Sequence, residues 1–353
     1  MTISISSEEL PPTRPDNQLW VYVLGESPKF TALNLQEYPN VFNWTMTYRF
    51  KPLKANLTAY ISENNLILWL LSRRDSDVYH PYGYISPTTE AASDKVTSQI
   101  RSYQSFASRP KLVAWIVSHC NPPSKRQYFV AELQKYIPVS IYGLCAELDC
   151  VPKKNCYAHV SETHKFYLSL ENSLCSDYIT EKLFNPLKYN LVPVVYGGSD
   201  SQDYSQIAPE HSYIDARNFS SAKQLAEYLL YLDGNDAEYL RYFEWKSKYR
   251  TVGPIGWCNL CQRIYEHLQL LPKSSDKLKT SLEGRSKYKW YEDPWNWWDF
   301  RKGLPACQLP IEKLTGSTTR KLDFGPPLWK IGREIWRWSF KRVNTSLHNY
   351  IHF

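Results

Sequence analysis

Two groups of side chains have the types and spacing to do chemistry. Lys125 and Arg126 follow the polar loop Ser118-His119-Cys120-Asn121-Pro122-Pro123. Glu171-Asn172-Ser173 leads, a few residues on, to Tyr178-Ile179-Thr180-Glu181-Lys182. Together they offer an arginine, a lysine, an amide and carboxylates. Cations neutralise phosphates and a carboxylate accepts from ribose hydroxyls, so the set suits a nucleoside diphosphate. Glu181-Lys182 is equally what a solvated first helical turn looks like, and Arg126 could be a surface arginine. Position separates the readings, because each group follows a run that reads as a strand. There is no Walker or G-x-G-x-x-G glycine loop.

The elements around these groups alternate. Lys111-Leu-Val-Ala-Trp-Ile-Val-Ser118 is a continuous apolar run of the kind buried on both faces of a parallel sheet. A helical pattern over 124–136 follows, with Phe129, Val130, Leu133 and Ile137 on one face, then a short strand over 139–143. Strand, helix and strand make a βαβ unit. The pattern recurs as a strand over 165–170, a helix over 178–188 and a strand over 191–196 ending in Gly197-Gly198. Helices are predicted over 221–232, 235–249 and 259–271. Residues 111–275 therefore read as one doubly wound α/β domain, in which ligands lie outside the carboxyl ends of the strands, often at helix N-termini. Upstream, residues 18–24 read as a strand ending in Gly25-Glu26-Ser27-Pro28. Downstream, 273–289 is polar and linker-like, and seven of the thirteen Trp fall after it. Ile331, Trp336, Trp338 and Phe340 alternate there with Arg333, Arg337 and Lys341, a mixture that could lie on a membrane interface or pack on its own domain. The expected organisation is 1–110, 111–275 and 276–353.

Composition narrows the class. With 353 residues, 43% hydrophobic and 22% charged, the chain can bury a core in each of two domains and is not disordered. A net charge of +7 over that length favours anionic ligands without being a nucleic-acid footprint. The 27 Tyr, 13 Trp and 13 Phe suit surfaces that stack on carbohydrate or on a partner. No apolar run is long enough for a membrane helix, and the polar N-terminus lacks the pattern of a signal peptide, which by itself predicts a soluble cytosolic protein. Against that stand eight Cys, clustered at 145/150/156 and 258/261, and sequons at Asn43, Asn56, Asn218 and Asn344, which lean toward an oxidising compartment. Cys258-Asn-Leu-Cys261 has no second pair at zinc spacing.

The segment 165–198, with Leu-Glu-Asn-Ser-Leu-Cys-Ser-Asp-Tyr-Ile-Thr-Glu-Lys-Leu-Phe-Asn at its centre and Val-Pro-Val-Val-Tyr-Gly-Gly at its end, resembles the donor motif of α-1,3-fucosyltransferases, glycosyltransferase family 10. Phe42-Asn-Trp-Thr-Met-Thr-Tyr48, Arg74-Asp-Ser-Asp-Val78, Pro81-Tyr-Gly-Tyr84, Val113-Ala-Trp-Ile-Val-Ser118, the stretch 239–245 and Cys258-x-x-Cys261 are similar to other motifs of that family, most of all its invertebrate members. The resemblance implies a GT-B fold, two Rossmann-like α/β domains facing a cleft, here with the N-terminal one incomplete. It implies inverting transfer of fucose from GDP-fucose to the 3-hydroxyl of N-acetylglucosamine on a glycoprotein N-glycan. By motif, Arg126 and Lys182 would neutralise the diphosphate, Asn172, Tyr178 and Glu181 would hold GDP and its ribose, and Glu26 would be the general base. Cys258–Cys261 would be a short disulfide, and Asn218 and Asn344 are the glycosylation candidates. No metal is required, since the two cations can do its electrostatic work, although Mn²⁺ stimulation would fit. An intact member would sit in the Golgi membrane through an N-terminal helix, which is not seen here.

One departure is internal. Removing residues 50–73 joins Tyr48-Arg49 to Arg74-Asp75-Ser76-Asp77 and restores an unbroken family motif, so this stretch reads as a retained intron, a splice variant or a loop insertion. It also makes Asp75-Ser76-Asp77 mimic the D-x-D metal site of GT-A transferases. Two alternatives therefore stand beside the fucosyltransferase: a non-catalytic truncated chain that at most binds GDP, and a metal-dependent GT-A enzyme using Asp75 and Asp77.

Overall fold

The computed structural model describes residues 19–31, 34–49, 76–88, 105–146, 150, 155–198, 202–269, 294–301 and 304–315. Asp75, the stretch 50–73, Asn56, Asn344, the linker 273–289 and the basic aromatic segment 330–342 lie outside them.

The N-terminal half is a small parallel sheet. Strands β1 (Val21–Leu24), β2 (Trp44–Thr47) and β3 (Val78–Tyr79) pair in that order. The 50–73 stretch falls between β2 and β3, which are paired neighbours, and the hydroxyls of Thr47 and Ser76 meet. The chain thus leaves and re-enters the sheet at one place. β4 (Tyr84–Pro87) pairs antiparallel with β10 (Tyr249–Val252), a strand from far along the chain.

The second half is a five-stranded sheet. β5 (Lys111–Ile116), β6 (Val139–Tyr142), β7 (His164–Leu170), β8 (Val192–Tyr196) and β9 (Ile214–Asp215) are all parallel, in the order β6-β5-β7-β8-β9. That is a doubly wound order, whose direction reverses between β5 and β7. Helices cover both faces: Phe129, Leu133, Leu225 and Leu229 pack on one, while Val160, Leu183 and Leu187 lie on the other. β7 is buried along its whole length, with His164, Lys165 and Ser169 among its buried residues. Pro193 is tolerated in β8 because β9 begins opposite Val194, leaving Pro193 outside that ladder. The α/β class and the paired parallel sheets match the expected fold.

Three expectations are corrected. The helix predicted from Tyr178 begins at Glu181, because Asp177 takes a left-handed turn (φ 60°) and Thr180 caps the helix through its side chain. The helix predicted over 235–249 is a short helix, Asp236–Leu240, then a 3₁₀ stretch, Arg241–Ser247, that buries Tyr242, Phe243 and Trp245 before β10. Cys258 and Cys261 are free, exposed thiols on helix Gly256–Gln269 and not a disulfide. The other six cysteines pair as Cys120–Cys145, Cys150–Cys156 and Cys175–Cys307.

Two late segments cross to the N-terminal sheet. Leu260 of helix Gly256–Gln269 packs with Val21, Trp44, Met46 and Val78. Trp298, fully buried in helix Pro294–Asp299, sits edge-on to Tyr22 and Tyr48, and its indole N–H donates to Thr31 Oγ1 at 2.7 Å. Part of the region expected to be a linker and tail is therefore core.

Candidate active site

The reversal point between β5 and β7 is where a doubly wound sheet opens a crevice. The loop after β5 and the loop after β7 meet there, with Ser124 N–H donating to the Asn172 carbonyl at 3.0 Å. Arg126 begins helix Arg126–Leu133 after Lys125, which holds a left-handed backbone (φ 55°). Its guanidinium turns inward, donating to the carbonyls of Leu170 and, at 3.2 Å, His119. Burial holds its pKa below the usual arginine value, against the pull of Glu171.

Lys182 stands in the first turn of helix Glu181–Lys188. Its ammonium lies 3.3 Å from a Glu171 carboxylate oxygen and 2.9 Å from one of Glu181. Burial pulls its pKa down, but the two carboxylates outweigh that and hold it above the ordinary lysine value. Glu171 is 1% exposed, and its carboxylate also accepts from Thr180 N–H at 2.8 Å and from the Thr180 hydroxyl. Burial raises its pKa. It fits only because position 197 is glycine, where an added Cβ would lie 2.5 Å from Glu171 Cγ. Pro186, inside the same helix, removes the N–H that would reach the Lys182 carbonyl, and the Ser169 hydroxyl of β7 donates to that carbonyl instead at 2.6 Å. The backbone of Lys182 is thus tied directly to the sheet.

Glu26 follows β1 and reaches the same crevice. Its Oε2 accepts from Tyr178 Oη at 3.0 Å and faces Asn172 Nδ2 at 3.5 Å. Its neighbours are fixed as well: the Gly25 carbonyl accepts from Tyr82 at 2.6 Å, and the Ser27 hydroxyl donates to Ser173 at 2.8 Å. The structure therefore brings Glu26, Asn172 and Tyr178 into direct contact. It joins Lys182 and Glu181 beside them, with Arg126 behind. Buried Asn172 Oδ1, Arg126 Nε and Ser124 Oγ have no hydrogen-bond partner, leaving polar capacity along the seam between the two loops.

Among the residues to which the sequence assigned no role of their own, Glu171 does the most, and its place immediately after β7 was the available signal. Ser169 and Thr180 gave no signal apart from the helix that they anchor. Asp77, expected by one alternative to bind metal, instead accepts from Thr45 N–H at 2.9 Å and lies close to the Thr45 hydroxyl, a structural tie between β2 and β3. The described residues contain no group of three or more His, Cys, Asp or Glu able to hold a metal ion. The sequon at Asn218 is exposed, whereas Asn43 is buried and accepts from Trp20 N–H.

Comparison with known proteins places the chain in a family. Residues 106–281 match the glycosyltransferase family 10 (fucosyltransferase) C-terminal model, and residues 1–52 match the fucosyltransferase N-terminal model. The chain is 33% identical over 313 residues to alpha-(1,3)-fucosyltransferase C of Drosophila melanogaster, covering 85% of this chain and 63% of that protein. It is 35% identical over 299 residues to glycoprotein 3-alpha-L-fucosyltransferase A of the same organism, covering 83% of this chain and 50% of that protein. The chain thus spans between half and just under two thirds of those relatives. The crystal structure of an alpha1,3-fucosyltransferase with GDP-fucose aligns with a TM-score of 0.42 and 17% identity, over 68% of this chain and 70% of that one.

Proposed function

Since the chain belongs to glycosyltransferase family 10, the fucosyltransferases, we propose that it transfers L-fucose from GDP-fucose to the 3-hydroxyl of N-acetylglucosamine on a glycoprotein glycan. One observation carries this reading: a carboxylate from the small sheet, Glu26, is hydrogen-bonded to the donor-motif residue Tyr178 of the large one. A base and a diphosphate site then face one crevice. In the proposed step the acceptor hydroxyl attacks the anomeric carbon of fucose from the side opposite GDP. Glu26 takes the hydroxyl proton, the bond from the anomeric carbon to the phosphate oxygen breaks, and GDP leaves with the electron pair. A single displacement inverts the anomeric centre. The leaving diphosphate gains negative charge, which Lys182 and Arg126 offset. Asn172 and Glu181 hold the nucleotide and its ribose.

The compartment is proposed to be the Golgi lumen. Three disulfides suit an oxidising space, and Asn218 is an exposed acceptor for glycosylation. No helix among the described residues is long and apolar enough to cross a membrane.

The test is direct transfer. The protein incubated with GDP-fucose and an N-glycan bearing terminal or core N-acetylglucosamine should yield a 3-linked fucose product, with EDTA leaving most of the rate. No product from any such acceptor, or complete loss in EDTA, contradicts the proposal.

A further inference from the structure

We infer that Glu171 is a positioning residue, the fixed counter-ion that holds the Lys182 ammonium in the crevice, and that Glu181 is the exchangeable one, whose place on that ammonium a nucleoside diphosphate takes. The inference rests on the proposed role of Lys182 as a diphosphate cation. An ammonium has three protons to donate, and here all three have acceptors: Thr180 Oγ1 at 2.9 Å, a Glu181 carboxylate oxygen at 2.9 Å and a Glu171 oxygen at 3.3 Å. A phosphate oxygen can therefore reach Lys182 only by displacing one of them. Thr180 and Glu171 are each 1% exposed and bound to one another, the Glu171 carboxylate accepting from the Thr180 N–H and hydroxyl. Moving either away would strand a buried polar group. The Glu181 side chain is 44% exposed and can turn into water.

Lys182 needs a counter-ion that stays. It lies in the first turn of its helix, where the helix dipole opposes a cation, and it is largely withdrawn from water. Lys246 shows what burial does alone. Its ammonium donates to the Leu187 carbonyl at the other end of the same helix, it has no carboxylate partner among the described residues, and burial pushes its pKa down to about 7. Burial acts on Lys182 in the same direction, but Glu171 and then Glu181 outweigh it. The charges of Arg126, Lys182, Glu171 and Glu181 cancel. Once Glu181 turns out, the remaining three present a net positive charge to the arriving anion. The other groups whose charge reaches Lys182 are Arg126, His119 and Tyr167. Between pH 7.5 and pH 9.5 none of these three changes charge. Arginine stays protonated, burial and then Arg126 hold the His119 pKa below 6.5, and burial lifts that of Tyr167 to about 12.

Glu171→Gln keeps the size of the side chain and removes its charge, so burial should draw the Lys182 pKa down. GDP binding, measured by calorimetry, should then weaken at least about tenfold between pH 7.5 and pH 9.5, against less than about threefold in the parent protein. Adding Lys182→Ala should abolish that extra pH dependence, which a merely structural role for Glu171 would not create. Inorganic pyrophosphate, which has no ribose, isolates the exchange. Glu181→Gln removes the competing carboxylate from an exposed position, outside the core, and should bind pyrophosphate about three- to fivefold more tightly than the parent at low salt. A Glu171→Gln protein with the pH profile of the parent would overturn the inference. So would Glu181→Gln binding pyrophosphate no more tightly than the parent. A parent that binds neither GDP nor pyrophosphate would instead remove Lys182 from a donor site, and with it the proposed function on which the inference stands.

Discussion

The two sheets reach stability by opposite routes. The five-stranded half gathers most of its core from one stretch of chain, with β5 and β8 supplying apolar runs and the intervening helices covering both faces, while Ile85 and Leu314 join it from either side in sequence. The three-stranded half has strands of four, four and two residues and borrows its core from far away, Leu260 on one side and Trp298 on the other. Function divides along the same line. The cations and their counter-ions belong to the larger half, and Glu26, the proposed base, belongs to the half that depends most on distant segments. Nucleotide binding and proton abstraction should therefore be separable by mutation.

The largest separation is expected from a pair of core truncations. Phe166→Ala, in the fully buried centre of β7, should cost about 3–5 kcal/mol and take GDP binding and transfer down together. Trp298→Ala removes a side chain of comparable burial, but it packs on Tyr48, which packs on the Glu26 partner Tyr178. Transfer should fall below detection while a GDP-dependent rise in melting temperature persists. Thermal melts with and without GDP, run beside a transfer assay, read both outcomes, and equal loss of GDP binding in the two variants would erase the distinction. A smaller effect is expected at the cations. Lys182→Ala should weaken GDP binding by ~2 kcal/mol, one charge-assisted contact, measured by calorimetry; an unchanged affinity would remove Lys182 from the donor site.

A separate effect, on stability alone, is a pH dependence confined to the large sheet. His164 is completely buried at the start of β7, and burial lowers its pKa from 6.5 to about 4. The unfolded chain takes up a proton near pH 6.5 that the folded one refuses until about pH 4. Stability from this group is therefore whole above pH 6.5 and is lost as pH falls toward 4, by up to ~3 kcal/mol. Urea denaturation at pH 7 and pH 4.5 should show His164→Gln losing less stability between the two than the parent does. An equal loss in both would contradict this.

Much of the large half was legible from sequence because a parallel strand buried on both faces leaves an unbroken apolar run, as in Lys111–Ile116 and Val192–Tyr196. The placement of Arg126 in the helix after β5, and of Lys182 in the helix after β7, followed from reading those strands. The small half was not legible to the same depth. β3 has two residues, too few for any periodicity, and Trp44–Thr47 carries alternating threonines although all four residues are buried. Nor could spacing reveal that Cys175 pairs with Cys307, or that Trp298 belongs to a core begun at Trp20. The inward direction of Glu171 was hidden for another reason, since it depends on the space left by Gly197, which sequence reads only as a turn.

The central claim is that Glu26 does the proton chemistry at a nucleotide site that it does not itself build. Glu26→Gln beside the parent protein tests it, with GDP-induced thermal shift and fucose transfer measured on the same samples. The account predicts equal shifts of a few degrees in both proteins and a transfer rate at least ~100-fold lower in the variant. Undiminished transfer by Glu26→Gln, or a parent protein whose melt ignores GDP, would contradict it.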